Sequence, residues 1–140
     1  MIRKPLTATV TCVWSGDPGL DKDRPGFADA WQDHESTGSV ERLPVKEGAT
    51  LARFTIAPLS MRAVAFIGQC PEDRRLWETV THGLRAIADL DVEGLGPVEL
   101  EVVDTPRGPR VTDASLERAA WFSLLGELSR RIWEITRIDP

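Results

Sequence analysis

Residues 51–67, with the sequence LARFTIAPLSMRAVAFI, contain the pattern of a strand followed by the start of a helix. In the first seven residues apolar side chains alternate with polar ones, which is typical of a half-buried strand; the apolar positions are Ala52, Phe54 and Ile56. Pro58 ends this strand, because proline has no N–H to donate to a strand ladder. Ser60 is suited to cap a helix, since its hydroxyl can accept a hydrogen bond from the first turn. We therefore predict a strand over 51–57 and a two-turn helix over 61–67, although the apolar run 61–67 alone is also compatible with a buried strand.

Four further segments have the periodicity of regular structure. Apolar side chains alternate with threonines over residues 6–14, which predicts another strand. Apolar side chains recur at three- and four-residue steps over residues 71–89 and 113–136, which predicts two long amphipathic helices. Residues 98–112 alternate on both sides of a proline-containing turn and predict a hairpin. The expected fold class is α+β: a small, mainly antiparallel sheet built from 6–14, 51–57 and 98–112, with the two long helices packed on one face.

A long irregular N-terminal loop, residues 16–50, separates the first two predicted strands. It has no sustained periodicity, and residues 16–48 contain three prolines and five glycines. Phe27 and Trp31 lie within it, which is unusual for a solvated linker. Two interpretations stay open: the segment packs on its own core, or it is an arm that docks on a partner. The chain length of 140 residues predicts a single domain, 1–140.

The composition disfavours several classes of partner. The chain has 17 Lys and Arg against 22 Asp and Glu, a net charge of −5, whereas nucleic-acid binding depends on clusters of basic residues. No apolar run reaches the ~18–20 residues that span a bilayer, and the basic N-terminus lacks the apolar region of a signal peptide. We therefore expect no membrane and no sequence-specific nucleic acid as a partner. Cys12 and Cys70 are expected to be buried, reduced thiols.

Residues suited to catalysis or metal binding are sparse. One irregular stretch contains three carboxylates and an imidazole, at a spacing that matches no metal-site template: Asp29, Asp33, His34 and Glu35. We interpret this stretch as a hydrated acidic loop, and His82 as a packed or surface histidine beside the apolar stripe of its predicted helix. Because no nucleophile or zinc motif occurs either, we expect no catalytic residue, no metal and no cofactor. A small metal-dependent hydrolase that uses His34 is kept as an alternative.

The aromatic composition is unusual, with five tryptophans and no tyrosine. Tryptophan is enriched at the buried centres of protein interfaces, but a domain of this size also needs some of its tryptophans in the core. Trp14 and Trp121 occupy apolar positions of the predicted strand and helix, so we expect them in the core. The predicted partner-binding residues are Phe27, Trp31, Trp77 and Trp133.

Two stretches resemble small proteins encoded in tailed-bacteriophage morphogenesis clusters. One is LARFTIAPLS, residues 51–60, and the other is WFSLLGELSRRI, residues 121–132. The resemblance extends over about half of the chain. It implies a virion structural or assembly component without catalytic activity, and it supplies no active-site residues.

From the resemblance and the sparse catalytic residues we expect a non-enzymatic component of a phage particle, in the minor capsid, neck or tail. Its partners would be other virion proteins, within an oligomer or a larger assembly. We expect it in the virion if it is phage-encoded, and otherwise in the cytoplasm. The alternative in the same class is an assembly chaperone or adaptor that is not retained in the particle.

Overall fold

A computed structural model describes residues 9–92, 96–119 and 121–136. Within these ranges no helix is long and apolar enough to cross a membrane. The described residues form, in chain order, β1 (Val10–Cys12), α1 (Phe27–Thr37), β2 (Arg53–Ile56), α2 (Met61–Gln69), α3 (Glu72–Gly83), β3 (Leu84–Ala88), β4 (Asp91–Val92), β5 (Gly96–Pro97), β6 (Val102–Thr105), β7 (Gly108–Val111), α4 (Asp113–Glu117) and α5 (Phe122–Thr136).

Strand β2 is the centre of a three-stranded antiparallel sheet, with β1 on one side and β3 on the other. Phe54 of β2 lies opposite Cys12 of β1 and Ile87 of β3. As the alternation predicted, Phe54 and Ile56 are buried, whereas Arg53 is exposed. The prediction of an α+β fold with a small antiparallel sheet is confirmed. The main core is formed by β2 with side chains of α2, α3, β3 and the C-terminal helices; its most completely buried members include Phe54, Ile56, Ile67, Val80, Leu84, Leu116, Leu124 and Ile132.

Of the predictions for the segments before and after β2, the strand over 6–14 is confirmed in part and the short helix is confirmed. The predicted strand over 6–14 is represented by β1, which is shorter, and residues 6–8 lie outside the described part of the chain. The predicted short helix is α2. The Ser60 hydroxyl accepts a hydrogen bond from the Ala63 N–H at 3.1 Å, so Ser60 is its N-cap.

The predicted helix over 71–89 is correct only in its first part. It ends at Gly83, as α3, and the residues that follow form strand β3. Leu84 and Ile87 are three residues apart, which is the spacing that suggested a helix. Both pair with buried residues of β2 that are two apart, so β3 contains one extra residue, a β-bulge. Because the bulge brings side chains three residues apart to the same face, the periodicity of this segment does not distinguish strand from helix.

The predicted helix over 113–136 is divided into the short helix α4 and the longer α5. Leu116 of α4 and Leu124 of α5 are both buried in the main core. A continuous helix over this segment would be about 35 Å long, and the break divides that length between two shorter helices. The prediction of two long helices is not confirmed, since α3 has 12 residues and α5 has 15.

Strands β6 and β7 form the predicted hairpin, with Val102 opposite Val111. The Thr105 hydroxyl closes its turn, accepting from the Arg107 N–H at 3.1 Å and donating to the Gly108 carbonyl at 2.8 Å. We predicted that the hairpin, residues 98–112, would belong to the central sheet. This prediction is wrong, because the hairpin forms a separate two-stranded sheet. Strands β4 and β5 form a further short pair.

The segment 16–50 is not irregular throughout, because it contains helix α1. Gly26 and Gly38, both in the left-handed conformation, lie immediately before and after this helix. The apolar side chains of the segment pack on its own chain, and docking on a partner stays a prediction. Its apolar side chains form a second cluster with residues beside β1 and β2; the buried members are Val13, Leu20, Ala30, Leu43 and Leu51.

We predict that Gly83→Ala destabilises the fold by about 1–3 kcal/mol, because the close approach of α3 and α5 leaves no room for a methyl group. A Cβ at Gly83 would lie 2.5, 2.6 and 2.8 Å from carbon atoms of the buried Ile132. The matched control is Gly126→Ala within α5, where a Cβ would have no neighbour within 4 Å. This control should stabilise the protein by up to about 1 kcal/mol through helix propensity. Urea unfolding of both variants measures the difference, and equal effects would contradict the close-packing argument.

Candidate functional site

Two of the predicted partner-binding residues, Phe27 and Trp31, lie together on α1. Their rings are stacked with centroids 6.2 Å apart. Both side chains are half-buried and pack against the second cluster. The Trp31 ring also lies 5.1 Å from the ring of the buried His34. These two aromatic residues therefore stabilise the packing of α1 on its own chain.

The other two predicted residues, Trp77 and Trp133, lie on α3 and α5. The Trp77 indole donates to the Asp113 carboxylate at 2.7 Å, and the Trp133 indole donates to the Thr79 hydroxyl at 3.2 Å. Trp133 is 36% exposed. Among the described residues no aromatic contact joins either tryptophan to the α1 pair. Partner binding by these four residues stays a prediction.

A different group of residues converges at one edge of the central sheet. The chain leaves β1 at Cys12, enters β2 at Arg53 and leaves β3 at Ala88, and the antiparallel register brings these three positions to the same edge. Trp14 follows β1, and Asp89 and Leu90 follow β3. Together with residues at the start of β2 they line an open groove of about 570 Å³.

The walls of the groove are mostly apolar and include two carboxylates. Its larger apolar walls are Trp14, Phe54, Leu90 and Trp121. Asp17 and Asp89 are its charged lining residues, and none of the described lining residues is basic. Its volume falls in the range of about 300–1,000 Å³ that is common for binding sites in proteins.

Trp121 is a correction to the sequence prediction, which placed it in the core. Its ring stacks on that of Trp14, with centroids 6.1 Å apart and an interplanar angle of 15°. Trp121 is 39% exposed, however, and the next residue, Phe122, is 83% exposed. The helical periodicity that assigned Trp121 to the buried stripe runs through the break between α4 and α5, where the helical phase is lost. We define the candidate site as the groove, which Trp121 lines, together with the exposed Phe122.

The two carboxylates of the groove differ in their surroundings. Asp17 is buried, and its two oxygens accept hydrogen bonds from the Gly19 N–H at 2.8 Å and the Ala52 N–H at 2.9 Å. It therefore ties the loop after β1 to the start of β2. Asp89 is exposed and has a positive φ of 60°, a left-handed conformation that is uncommon outside glycine, asparagine and aspartate.

A contact between Ser15 and Glu127 holds the two sides of the groove together. The Glu127 carboxylate accepts hydrogen bonds from the Ser15 N–H at 2.8 Å and from the Ser15 hydroxyl. Ser15 follows Trp14 in the chain, and Glu127 lies on α5, less than two turns after Trp121. This contact therefore fixes Trp14 relative to Trp121.

His34 of α1 is a structural residue. The Val13 N–H donates to its Nε2 at 3.1 Å, which leaves the ring proton on Nδ1, and Nδ1–H donates to the Ser39 carbonyl at 3.1 Å. Burial lowers the pKa of His34 below its ordinary value of 6.5, and the positive charge of Arg131 lowers it further. The neutral imidazole thus joins the end of β1 to the loop after α1.

His82 of α3 has the same kind of role for the β6–β7 hairpin. Its Nδ1–H donates to the Glu78 carbonyl at 2.8 Å, and its Nε2 accepts from Arg107 Nε at 3.1 Å. The Arg107 guanidinium also lies 4.0 Å above the Phe66 ring, a cation–π contact. Burial lowers the pKa of His82, and the charge of Arg107 lowers it further, whereas Glu78 opposes the shift. A neutral His82 therefore holds the turn of the hairpin against α2 and α3.

The buried Glu78 side chain is the centre of an ion-pair network next to His82. Its carboxylate binds Arg110 of β7 at 3.0 Å and Arg74 of α3 at 3.3 Å, and Arg110 also pairs with Asp113 at 2.8 Å. Burial raises the pKa of Glu78, but the hydrogen bonds and charges of Arg110 and Arg74 outweigh burial, so this pKa lies below its ordinary value. The network attaches β7 and the start of α4 to α3.

The cysteines also belong to the packing. Both are free thiols; Cys12 is buried, whereas Cys70 is half-buried, which is more exposed than predicted. Burial raises the pKa of the Cys12 thiol, and the neighbouring Arg131 only partly offsets this effect. Because the thiolate is the reactive form of cysteine, Cys12 is not an activated nucleophile.

The contacts of His34 do not favour the alternative of a His34-dependent hydrolase. In the described ranges no three His, Cys, Asp or Glu side chains form a group suited to a metal ion. Both ring nitrogens of His34 and of His82 already have partners within the chain, and neither ring is bonded to the other. A metal ion at His34 would have to displace the Val13 N–H or the Ser39 carbonyl.

The described groove contains residues that the sequence analysis did not single out as a site. Asp17 and Asp89 lie in turns, 72 positions apart, and only the strand register brings them together. One signal was present in the sequence: Phe122 directly follows Trp121, so two large aromatic side chains are adjacent.

We predict that the free energy of unfolding falls as the pH is lowered from 7 to 5. The unfolded chain takes up protons on its histidines near pH 6.5, whereas His34 and His82 in the folded chain resist protonation. The loss is at most about 1.4 kcal/mol per pH unit for each histidine. His82→Gln should flatten the profile, and urea unfolding at pH 5, 6 and 7 measures it. An unchanged slope in the variant would contradict the assignment of a neutral His82; the effect of Glu78 appears only below its ordinary pKa of 4.5.

We also predict that Glu78→Gln destabilises the protein by about 2–3 kcal/mol, because it leaves the largely buried Arg110 without its buried counter-charge. The matched control is Asp113→Asn, which removes the other carboxylate on Arg110. The Asp113 side chain is 52% exposed, so this variant should cost less than about 1 kcal/mol. Thermal unfolding at pH 7 compares the two, and equal losses would show that burial of the pair is not what matters.

No family model matches the chain, and neither a curated protein nor a solved structure is significantly similar to it. Its function must therefore be inferred from its own geometry and chemistry.

Proposed function

We propose that this protein is a non-enzymatic structural component of a phage particle, in the minor capsid, neck or tail, and that it acts by binding neighbouring proteins. The observation that carries the proposal is the exposed pair Trp121–Phe122 beside the Trp14 groove. Its partners are other virion proteins, within an oligomer or a larger assembly.

The energetic argument concerns Phe122. Its side chain is 83% exposed, although burying a phenylalanine stabilises a protein or a complex by about 1.5–3 kcal/mol. Tryptophan and phenylalanine are enriched in the cores of protein interfaces. Phe122 directly follows Trp121, which lines the groove, so we place both side chains in one partner contact.

The hydrogen bonds of the two histidines and the burial of Cys12 support a function without catalysis. His34 and His82 use both ring nitrogens for contacts that attach α1 and the hairpin. Burial raises the pKa of the Cys12 thiol and so favours its unreactive form. These side chains are used to stabilise the fold, and a binding role needs none of them to react.

The phage context rests on the sequence resemblance. One of the two resembling stretches, 51–60, covers β2 and the N-cap of α2. The other, 121–132, begins with Trp121 and Phe122 and continues along α5. The part of the chain that resembles phage morphogenesis proteins thus includes the proposed contact residues.

The four aromatic residues that the sequence predicted as partner contacts differ in how much of their surface is exposed. Trp133 is 36% exposed and adds a second apolar position on α5. Phe27, Trp31 and Trp77 are half-buried by contacts within the chain. We therefore give Trp121 and Phe122 the central role in the proposed contact.

The test uses the phage that carries this gene. Particles are purified on a density gradient, and the copy number of the chain per particle is measured by quantitative mass spectrometry. We expect a fixed copy number for the native chain and at least an approximately tenfold lower copy number for Phe122→Ser, the loss that corresponds to about 1.4 kcal/mol. The matched control is Met61→Ser, which removes an exposed apolar side chain, 67% exposed, on α2.

Three results would overturn the proposal. A chain that is absent from particles but needed for their yield is an assembly chaperone or adaptor. A chain that is absent and dispensable has no role in the particle. Equal losses for Phe122→Ser and Met61→Ser would reject the Trp121–Phe122 surface as the contact.

A further inference from the structure

We propose that the groove between Trp14, Trp121 and Asp89 binds a lysine or arginine side chain from an apolar segment of a partner polypeptide. The inference deepens the proposed function and rests on it, because it names the chemistry of the partner that covers the Trp121–Phe122 surface.

The charge of the groove is the first argument. Asp17 and Asp89 are its charged lining residues, and no basic residue occurs among the described residues of its wall. Asp17 already accepts two backbone hydrogen bonds, but a carboxylate has about four acceptor positions. Two negative charges therefore line the groove, and none of its described lining residues carries a positive charge.

The aromatic wall is the second argument. The Trp14 and Trp121 rings are stacked, and Trp121 is 39% exposed, so part of an indole surface is open to a ligand. A cation over the face of a tryptophan is attracted by the ring quadrupole, and tryptophan is the best of the aromatic side chains for this contact. The aliphatic stem of lysine or arginine would pack on Leu90 while its charged end meets a carboxylate.

The position of the cation within the groove follows from a neighbouring feature. A shallower depression shares Gly16, Asp17 and Pro18 with the groove and is lined by Lys22 and Lys46. These lysines disfavour a further cation on that side of Asp17. We therefore place the charged group on the Asp89 side, where the exposed carboxylate can turn toward it.

A polypeptide is favoured over a small molecule because the apolar surface extends beyond the groove. The groove is open, and Phe122 lies next to Trp121 with 83% of its surface exposed. A small ligand that fills the groove would leave Phe122 in water. A short peptide segment with apolar residues beside its lysine or arginine covers both.

The test is a titration followed by NMR, with two peptides that differ in one charge. The probes are Ac-Leu-Arg-Leu-NH₂ and the same peptide with neutral citrulline in place of arginine, in buffer of about 0.15 M salt to screen distant charges. The readout is the indole N–H signals of Trp14 and Trp121, assigned with Trp14→Phe and Trp121→Phe. We expect saturable shifts of these signals with the arginine peptide and at least an approximately fivefold weaker affinity for the citrulline peptide.

Two charge variants provide the matched control. Asp89→Asn is isosteric, and asparagine tolerates the left-handed backbone found at this position. Asp29→Asn removes the same unit of charge from the exposed face of α1. We expect Asp89→Asn to weaken the arginine peptide by about 3- to 10-fold and Asp29→Asn to leave its affinity unchanged.

Four outcomes would overturn the inference. They are no binding of the arginine peptide, equal affinities for the two peptides, equal effects of the two variants, and shifts at Trp133 in place of Trp14 and Trp121. If Phe122→Ser still lowers incorporation into particles in any of these cases, the proposed function stands and only the cationic partner segment is rejected.

Discussion

The antiparallel pairing of β1, β2 and β3 is the constraint on which the rest of the structure depends. β2 buries Phe54 and Ile56, and a slip of one residue would turn both side chains to the opposite face, so their burial fixes the register. The fixed register brings the end of β1, the start of β2 and the end of β3 to one edge. Trp14 and Asp89 line the groove at that edge. The shape of the groove is therefore a consequence of core packing.

Polar side chains attach the elements that the sheet does not hold. His34 bonds α1 and its following loop to the end of β1, and His82 holds the hairpin through Arg107. Glu78 attaches β7 through Arg110. Each of these groups is buried and has its partners, so each would be costly to change. His34, His82 and Glu78 therefore act on stability, and none of them lines the groove.

Sequence reasoning predicts the features that depend on neighbouring residues. The alternation around Phe54 locates β2, the Ser60 cap locates α2, and the turn after Thr105 locates the hairpin. It fails where a distant contact decides the structure. The bulge in β3 gives Leu84 and Ile87 a helical spacing, and only their pairing with β2 identifies a strand. Helix α1 was missed because glycines in place of a side-chain cap flank it, and its apolar residues were interpreted as isolated aromatics in a loop.

The sequence did not predict the candidate site for the same reason. Most of this failure follows from one error in the predicted helices. A continuous helix over 113–136 turns Trp121 toward the core, whereas the observed break places it at the start of α5 with its ring against Trp14. Leu116 and Leu124 are buried on either side of the break, and Trp121 and Phe122 are exposed next to it. A chain that only needed a stable core would gain by replacing Phe122 with a polar residue, at no cost to a buried contact. The exposure of Phe122 next to Trp121 is therefore the feature that the proposed partner contact accounts for.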